Sequence, residues 1–332
     1  MGLRLLPNIS RDEWNGIVVG FRDHNFYQSW EWGEARRAMG WKVRRFVFER
    51  QGRIVAAAQG LLREIPLLPW RLFRLRGGPL VLGPLGGEMG ALKEILEGIR
   101  QGFRGGVIRV SPNHPTGNGV EAVLKASGFG RPPGQRPQQT FCLDLKRDLK
   151  ILRKQLSPSW RRNLSKAEEK GLTIRPMASM EDLQRFFDLH SEMVHWKGFQ
   201  SHLSWDLLRE LWRVSCGSSG IHGFLAMNGE DVVAGRILGF LGEEALDLFA
   251  VTTLRGREIF ASYQLLWEVI KTAKARGCSR LDLGGIDPTG NRGVFDFKHG
   301  VRGDLVEFVG HWNFCRGRAL RWFFDTMIEP RL

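Results

Sequence analysis

FVFERQGRIVAAAQGLL, Phe46 to Leu62, and FLAMNGEDVVAGRILGF, Phe224 to Phe240, are the two stretches on which the fold turns. Each is apolar and β-rich, breaks at a turn pair (Gln51-Gly52 in one, Asn228-Gly229 in the other) and resumes in the same pattern, so each predicts a β-hairpin. The segments beyond the two hairpins are also alike. A helix over Leu92 to Arg100 leads to Gly105-Gly106 and the strand VIRV, and a helix over Leu265 to Arg276 leads to Gly277 and the strand SRLDL. A hairpin, helix and strand in that order, met twice, predict an α/β chain of two tandem domains with mixed sheets flanked by helices. The prolines of RPPGQRPQQ, Arg131 to Gln139, oppose regular helix. We therefore place the join after them, near Arg147 to Ser157, giving domains over residues 1–150 and 151–332.

Beyond the join, SPSWRRNLSKAEEKG carries complete helix punctuation. Ser157 is the cap, Pro158 takes the first helical position, and Gly171 sits where a left-handed closing residue belongs. Leu156, Trp160, Leu164 and Ala167 share one face of that helix, while Arg161, Arg162 and Lys166 make another face basic.

Composition narrows the function classes. The 332 residues carry 49 Lys and Arg against 35 Asp and Glu, a net charge of +14, which calls for an anionic partner. With 42% hydrophobic and 25% charged residues the chain folds as a globular protein. No apolar run approaches the roughly 18 to 20 residues of a membrane span. MGLRLLPNIS has no secretory core or cleavage site, so a cytoplasmic location is expected. Cys142, Cys216, Cys278 and Cys315 form no C-x-x-C pair and the eight histidines no metal-ligand cluster, so neither a metal nor a disulfide framework is expected. Gly-rich stretches such as GPLVLGPLGGEMG match neither a P-loop nor a dinucleotide fingerprint, and no G-x-S-x-G elbow is present. Catalysis is expected to proceed by positioning and electrostatics, without a cofactor.

Leu281 to Phe314, LDLGGIDPTGNRGVFDFKHGVRGDLVEFVGHWNF, is the most informative segment for chemistry. Phe295 and Phe297 flank Lys298, and an ammonium held by them at a strand end would meet a developing oxyanion or a phosphate in partly desolvated surroundings. An ordinary exposed lysine beside an apolar strand fits the same residues.

This pattern, D-L-G-G-I … G-V-F-D-F-K … V-G-x-W, resembles the C-terminal signature of the Fem-type aminoacyltransferases (FemX, FemA, FemB), which build peptidoglycan interpeptide bridges. SWEWGEARRAMGW (Ser29 to Trp41), WRRNLSKAEEKGLTIR (Trp160 to Arg175) and FFDLHSEMVHWKGF (Phe186 to Phe199) are similar to other parts of the family, so the resemblance covers most of the chain. It implies two tandem GNAT-like domains, here without a coiled-coil arm, the first binding the acceptor and the second facing the donor. It implies aminoacyl-tRNA as donor and UDP-MurNAc-peptide or lipid II as acceptor, both polyanions that suit the charge. By the same resemblance Lys298 and Phe297 are catalytic, and Arg36, Lys197, Trp32, Tyr263 and Asp282 bind substrate. Arg36 and Lys197 would hold the precursor's phosphates. Asp282, Asp287 and Asp296 are candidates to take the amine's proton. The CoA-binding pattern of an acetyltransferase is broken at Arg255 to Ala261, which disfavours a CoA donor.

Two departures leave a second reading open. Where the family carries an acid before proline, this strand ends in Ser111-Pro112, and only Tyr27 and Tyr263 supply tyrosine. A GNAT-type N-acyltransferase acting on an exopolysaccharide or envelope sugar would also fit. PLLPWRLFRLRGGPL, Pro66 to Leu80, reads either as a strand pair with edge arginines or as a surface resting on anionic lipid. On the second reading the protein contacts the inner face of the plasma membrane peripherally.

Overall fold

The computed structural model describes residues 2–64, 70–81, 88–103, 105–135, 137–198, 201–215, 219–324 and 326. Cys216, Phe199, the Pro66–Pro69 end of the arginine-rich segment and residues 82–87 within GPLVLGPLGGEMG lie outside the described residues.

The chain forms two compact units, one of Met1–Gln138 with Glu307–Leu332 and the other of Gln139–Val306. The first opens with β1 (Gly2–Leu5), α1 (Arg11–Val19), α2 (Trp30–Ala38), β2 (Lys42–Arg50), β3 (Arg53–Glu64), β4 (Arg71–Arg76), α3 (Glu88–Gly102), β5 (Gly106–Ser111) and α4 (Val120–Ala126). The second holds β6 (Gln138–Asp144), α5 (Leu149–Gln155), α6 (Pro158–Glu168), β7 (Thr173–Pro176), α7 (Met180–Lys197), α8 (Trp205–Val214), β8 (Gly220–Asn228), β9 (Asp231–Leu241), β10 (Glu244–Thr252), α9 (Leu254–Glu258), α10 (Ala261–Ala275), β11 (Arg280–Ile286), α11 (Arg292–His299) and β12 (Asp304–Phe308). The chain then returns to the first unit with β13 (Trp312–Cys315) and α12 (Arg318–Phe323).

The two sheets repeat one plan. Their strand orders are β1-β2-β3-β4-β5-β13 and β12-β6-β11-β10-β9-β8-β7. In each, three antiparallel strands (β2-β3-β4, β8-β9-β10) are followed by a helix and a strand parallel to the third, and a further strand closes antiparallel on that one. The two hairpins of the opening stretches are β2-β3 and β8-β9. Gln51 and Gly52 both take positive φ (51° and 73°), as a tight two-residue hairpin turn demands, and Gly229 does so at 64°. The helix α6 starts as its caps predict, with Ser157 accepting from the Trp160 amide, and Leu156, Trp160, Leu164 and Ala167 are all buried.

The partition differs from the cut at 150/151. β6, at residues 138–144, already belongs to the second sheet, and β13 pairs with β5 in the first, with Trp312 opposite Val110 and Cys315 opposite Val107. The Pro-rich stretch thus precedes β6 instead of a helix. Among the described residues the longest helix is α7, of 18 residues, and no helix is long and apolar enough to cross a membrane.

In the first unit the two faces of the sheet have different jobs. Phe48, Ala56, Ala58, Phe73, Leu75, Ile108, Val110 and Trp312 form one core with α3 and α4. The alternate residues, Arg45, Gln59, Arg74, Arg76, Arg109 and Ser111, fall on the opposite face, because side chains alternate along a strand. α2 is tied to that polar face. The Gln28 amide donates to the Gln59 and Arg76 carbonyls (3.1 and 2.7 Å) and accepts from the Gln59 amide (2.6 Å), while Arg45 pairs with Glu34 at 2.9 Å.

Candidate functional site

In the second unit the site is made by a sheet that comes apart. The parallel pair β10-β11 is in register only at Glu244 with Arg280, Ala245 with Leu281 and Leu246 with Asp282, although both strands continue. At that point β10 slips against β9 between Asp247 and Phe249, and β11 slips against β6 between Asp282 and Gly285. The bulge frees two carbonyls, and Lys298 takes both: its Nζ donates to Gly284 O at 3.1 Å and Gly285 O at 3.0 Å. Gly284 is required here. Its φ is 73°, and a Cβ there would stand 2.6 Å from the Asp247 carbonyl oxygen and 3.6 Å from Lys298 Nζ.

Lys298 does not stand at a strand end, as the sequence suggested. It lies in the last turn of α11, which begins at Asn291, whose side chain accepts from the Val294 amide. The helix is reinforced by the i,i+4 pair Arg292–Asp296 and by Phe295 stacked on His299 at 5.7 Å. A helix turns Phe297 and Lys298 to different sides. Phe297 packs against Trp160 (5.8 Å) and Tyr263 (5.0 Å), and Trp160 Nε1 donates to the Phe297 carbonyl at 3.1 Å. Phe297, Tyr263 and Trp160 therefore form an aromatic wall beside the lysine, with the Arg236 guanidinium 5.5 Å from the Phe297 ring centroid.

Burial is the main force on the ammonium and holds the Lys298 pKa below its ordinary value; Arg236 adds to this, and Asp247 and Asp282 oppose it. An ammonium has three N–H donors. Two go to the glycine carbonyls, which leaves one for an incoming oxygen. Asp247 is engaged in a buried ion pair with Arg236. Asp282 serves the bulge: its Oδ1 accepts from Thr140 Oγ1 at 2.5 Å and from the Gly284 amide at 2.8 Å. Burial pushes its pKa up. Asp287 and Asp296 do not join this group. Asp287 closes its own turn by accepting from the Thr289 and Gly290 amides, and Asp296 is exposed beside Arg292.

A second feature of this unit runs outward from Tyr263. Its ring meets Phe260 at 6.1 Å, Lys166 lies 5.5 Å from the Phe260 ring, and Arg257 lies 4.6 Å from the ring of the exposed Trp196. Lys197, next to that tryptophan, is exposed, and partial burial followed by Arg257 lowers its pKa. Aromatic rings interleaved with cations suit stacked bases and phosphates.

In the first unit Arg36 is found among other arginines. Trp32 is buried against Phe26 and Tyr27, and the Arg36 and Arg76 guanidiniums lie 4.6 and 5.5 Å from its ring centroid. Trp32 thus supports the cations and is not itself an open contact surface. Arg76 also stacks on Tyr27 at 3.8 Å and donates to its hydroxyl at 2.9 Å. Burial, then repulsion from Arg76 and Arg74, brings Arg36 down to about 10; burial and Arg76 do the same to Arg74. Among the described residues no carboxylate pairs with Arg36, Arg74 or Arg76. Half-buried cations held together without a counter-charge make a site for an anion. Sequence reasoning singled out Arg36 alone. The i,i+2 spacing of Arg74 and Arg76 in RLFRLR was the signal that placed them on one strand face. Arg36 and Lys197, expected on the same phosphates, fall in different units.

Comparison with known proteins agrees with this architecture. Residues 221–323 match the FemAB family. A lipid II:glycine glycyltransferase of Staphylococcus aureus is 20% identical, over 98% of this chain and 96% of its own length. The crystal structure of FemX superposes with a TM-score of 0.81 at 17% identity, over 97% of this chain and all of that one. A tandem GNAT protein from the clavulanic acid biosynthesis pathway superposes at 0.53, with 13% identity over 94% and 98% of the two chains. The chain thus has the fold of FemX, two GNAT-like units in tandem, and its residues 221–323 carry the FemAB match.

Proposed function

We propose that the protein is an aminoacyltransferase, moving an amino acid from aminoacyl-tRNA to the stem-peptide amine of a peptidoglycan precursor, either lipid II or UDP-MurNAc-peptide. The observation that carries this reading is Lys298: a desolvated ammonium at the parting of β10 and β11 with one donor unspent. Attack of an amine on the aminoacyl ester turns the carbonyl oxygen into an oxyanion, and the third N–H of Lys298 would meet it there. Such a donor acts on the transition state more than on the bound substrate.

The other features support the same reading. Arg36, Arg74 and Arg76 suit the precursor's diphosphate, with bidentate guanidiniums in partly dry surroundings. The wall from Phe297 through Tyr263 to Phe260, with Lys166, Arg257, Trp196 and Lys197 beyond it, suits the single-stranded end of a tRNA. Asp282 is the clamp of the bulge, so the amine's proton passes to a substrate phosphate or a tRNA hydroxyl. The name of the Staphylococcus aureus relative favours lipid II as acceptor and glycine as the group moved. A lipid-linked acceptor would bring the protein to the inner face of the plasma membrane. The test is incubation with charged tRNA and each precursor, read by mass spectrometry. Addition of one aminoacyl residue to the stem peptide is expected.

Ser111, where the family carries an acid, favours a second reading as an N-acyltransferase on an envelope sugar. A mass gain matching an acyl chain, with none from charged tRNA, would establish it over the first.

A further inference from the structure

The Ser111 position holds more than a missing acid. β4 and β5 run parallel with Arg74 opposite Arg109 and Arg76 opposite Ser111, so all four side chains leave the same face of the sheet. Like charges directly across a strand pair destabilise it. β13 adds the next strand, with Asn313 opposite Arg109, and so brings His311 beside Ser111: Oγ and Nδ1 are 2.5 Å apart. The histidine is fixed from three sides. Gln135, with its amide turned to satisfy both groups, donates to the His311 carbonyl at 2.7 Å and accepts from its amide at 2.6 Å, and Gln138 Nε2 faces the ring Nε2 at 3.2 Å.

The orientation taken by the Gln138 amide sets the direction of the hydrogen bond. An amide nitrogen only donates, so the ring Nε2 facing Gln138 accepts, and the proton of a neutral imidazole sits on Nδ1. Nδ1–H then donates to Ser111 Oγ, and the serine's own proton is left to donate elsewhere. The ring stays neutral because burial, then Arg109, Arg74 and Arg76, hold its pKa down to about 3. A charged imidazole would have added a fourth cation to the row. A neutral one adds a directed hydroxyl.

We propose that Ser111, turned outward by His311, completes with Arg74 and Arg76 a subsite for an oxyanion, a phosphate or carboxylate group carried by the acceptor. Arg74, Arg76 and His311 are half-buried and Gln138 is exposed, so the group reaches solvent. The proposal rests on the reading of the first unit as the acceptor side, and it deepens that reading. Ser111 contacts the ligand, and His311 is a positioning residue.

The experiment is calorimetric titration of the intact protein with inorganic phosphate and, separately, with acetate, without donor or acceptor substrate. It therefore stands or falls apart from any transfer activity. Binding of one anion in preference to the other identifies the group. Ser111→Ala is expected to weaken that binding about tenfold, as the loss of one hydrogen bond to a charged group would. Ser111→Thr, which keeps the hydroxyl, should retain it. Ser111→Asp should abolish it by placing a carboxylate against Arg76. A nitrogen-15 spectrum of the histidines should show His311 neutral with the proton on Nδ1 from pH 5 to 8, a readout that does not depend on any variant folding. Binding of neither anion, unchanged affinity in Ser111→Ala, or a proton on Nε2 would each overturn the proposal.

Discussion

The parallel pairs β4-β5 and β10-β11 start from the same hairpin, helix and strand plan and end differently. In the first unit the pair stays in register through six positions, Arg71 with Gly106 to Arg76 with Ser111. In the second it holds for three and then parts at Asp282. The intact pair is a flat support from which a row of side chains projects, and here the row is cationic. The parted pair exposes backbone, and one lysine is drawn in to satisfy it. The same plan thus carries a row of arginines in one unit and a single directed ammonium in the other. Two backbone slips separate them, at Asp247/Phe249 and Asp282/Gly285, and these have no counterpart in β4-β5.

That contrast can be broken at its ends. Lys298→Ala should cost the most, lowering the single-turnover rate about 10²- to 10³-fold while precursor affinity changes little; an unchanged rate removes Lys298 from the chemistry. Gly284→Ala comes next. It forces a Cβ against the Asp247 carbonyl at positive φ and should destabilise the protein by about 2 kcal/mol in urea unfolding. Gly285→Ala, whose Cβ would meet nothing within 4 Å, should be near neutral, and equal losses in the two variants would refute the bulge argument.

The closed end of the same pair makes a pH prediction. Burial raises Glu244 to about 7, with Arg280 opposing. A carboxyl whose folded pKa exceeds its unfolded value stabilises the fold below about pH 4.5, and that contribution is lost as pH rises through 7. Glu244→Gln should flatten this dependence and leave the variant more stable than the parent at pH 8 by about 1–2 kcal/mol. A parallel pH profile for the two proteins counts against it. The smallest effect is expected in the intact pair. Arg74→Gln relieves repulsion with Arg76 and should stabilise the first unit by about 0.5 kcal/mol at low salt, a gain that shrinks as salt or phosphate is added. Loss of stability at low salt would mean that Arg74 has a counter-charge.

The range of the forces involved decided how much of this was legible in the sequence. The hairpins could be read from Gln51-Gly52 and Asn228-Gly229, because turn chemistry is local. The helix α6 could be read from Ser157, Pro158 and Gly171 for the same reason. Lys298 was found through resemblance, but its helix was missed, since Phe-Asp-Phe alternates like a strand and only the Asn291 cap and the Arg292–Asp296 pair say otherwise. The arginine row escaped because Arg36, Arg74 and Arg76 meet only once α2 is laid on β4, and sequence spacing does not encode which helix covers which face. β13 escaped for a similar reason. Nothing local in WNFC says that it pairs with a strand two hundred residues earlier, as the Arg109–Asn313 bond separated by 204 positions does.

That late strand also orders events during synthesis. The second unit is contiguous and is complete once residue 306 has left the ribosome, whereas β5 waits with a bare edge until β13 emerges. The histidine that turns Ser111 arrives just ahead of that strand, so the second unit, Lys298 included, is complete a few residues before Ser111 gains its partner. A chain stopped between the two would hold the Ser111 hydroxyl without the histidine that directs it.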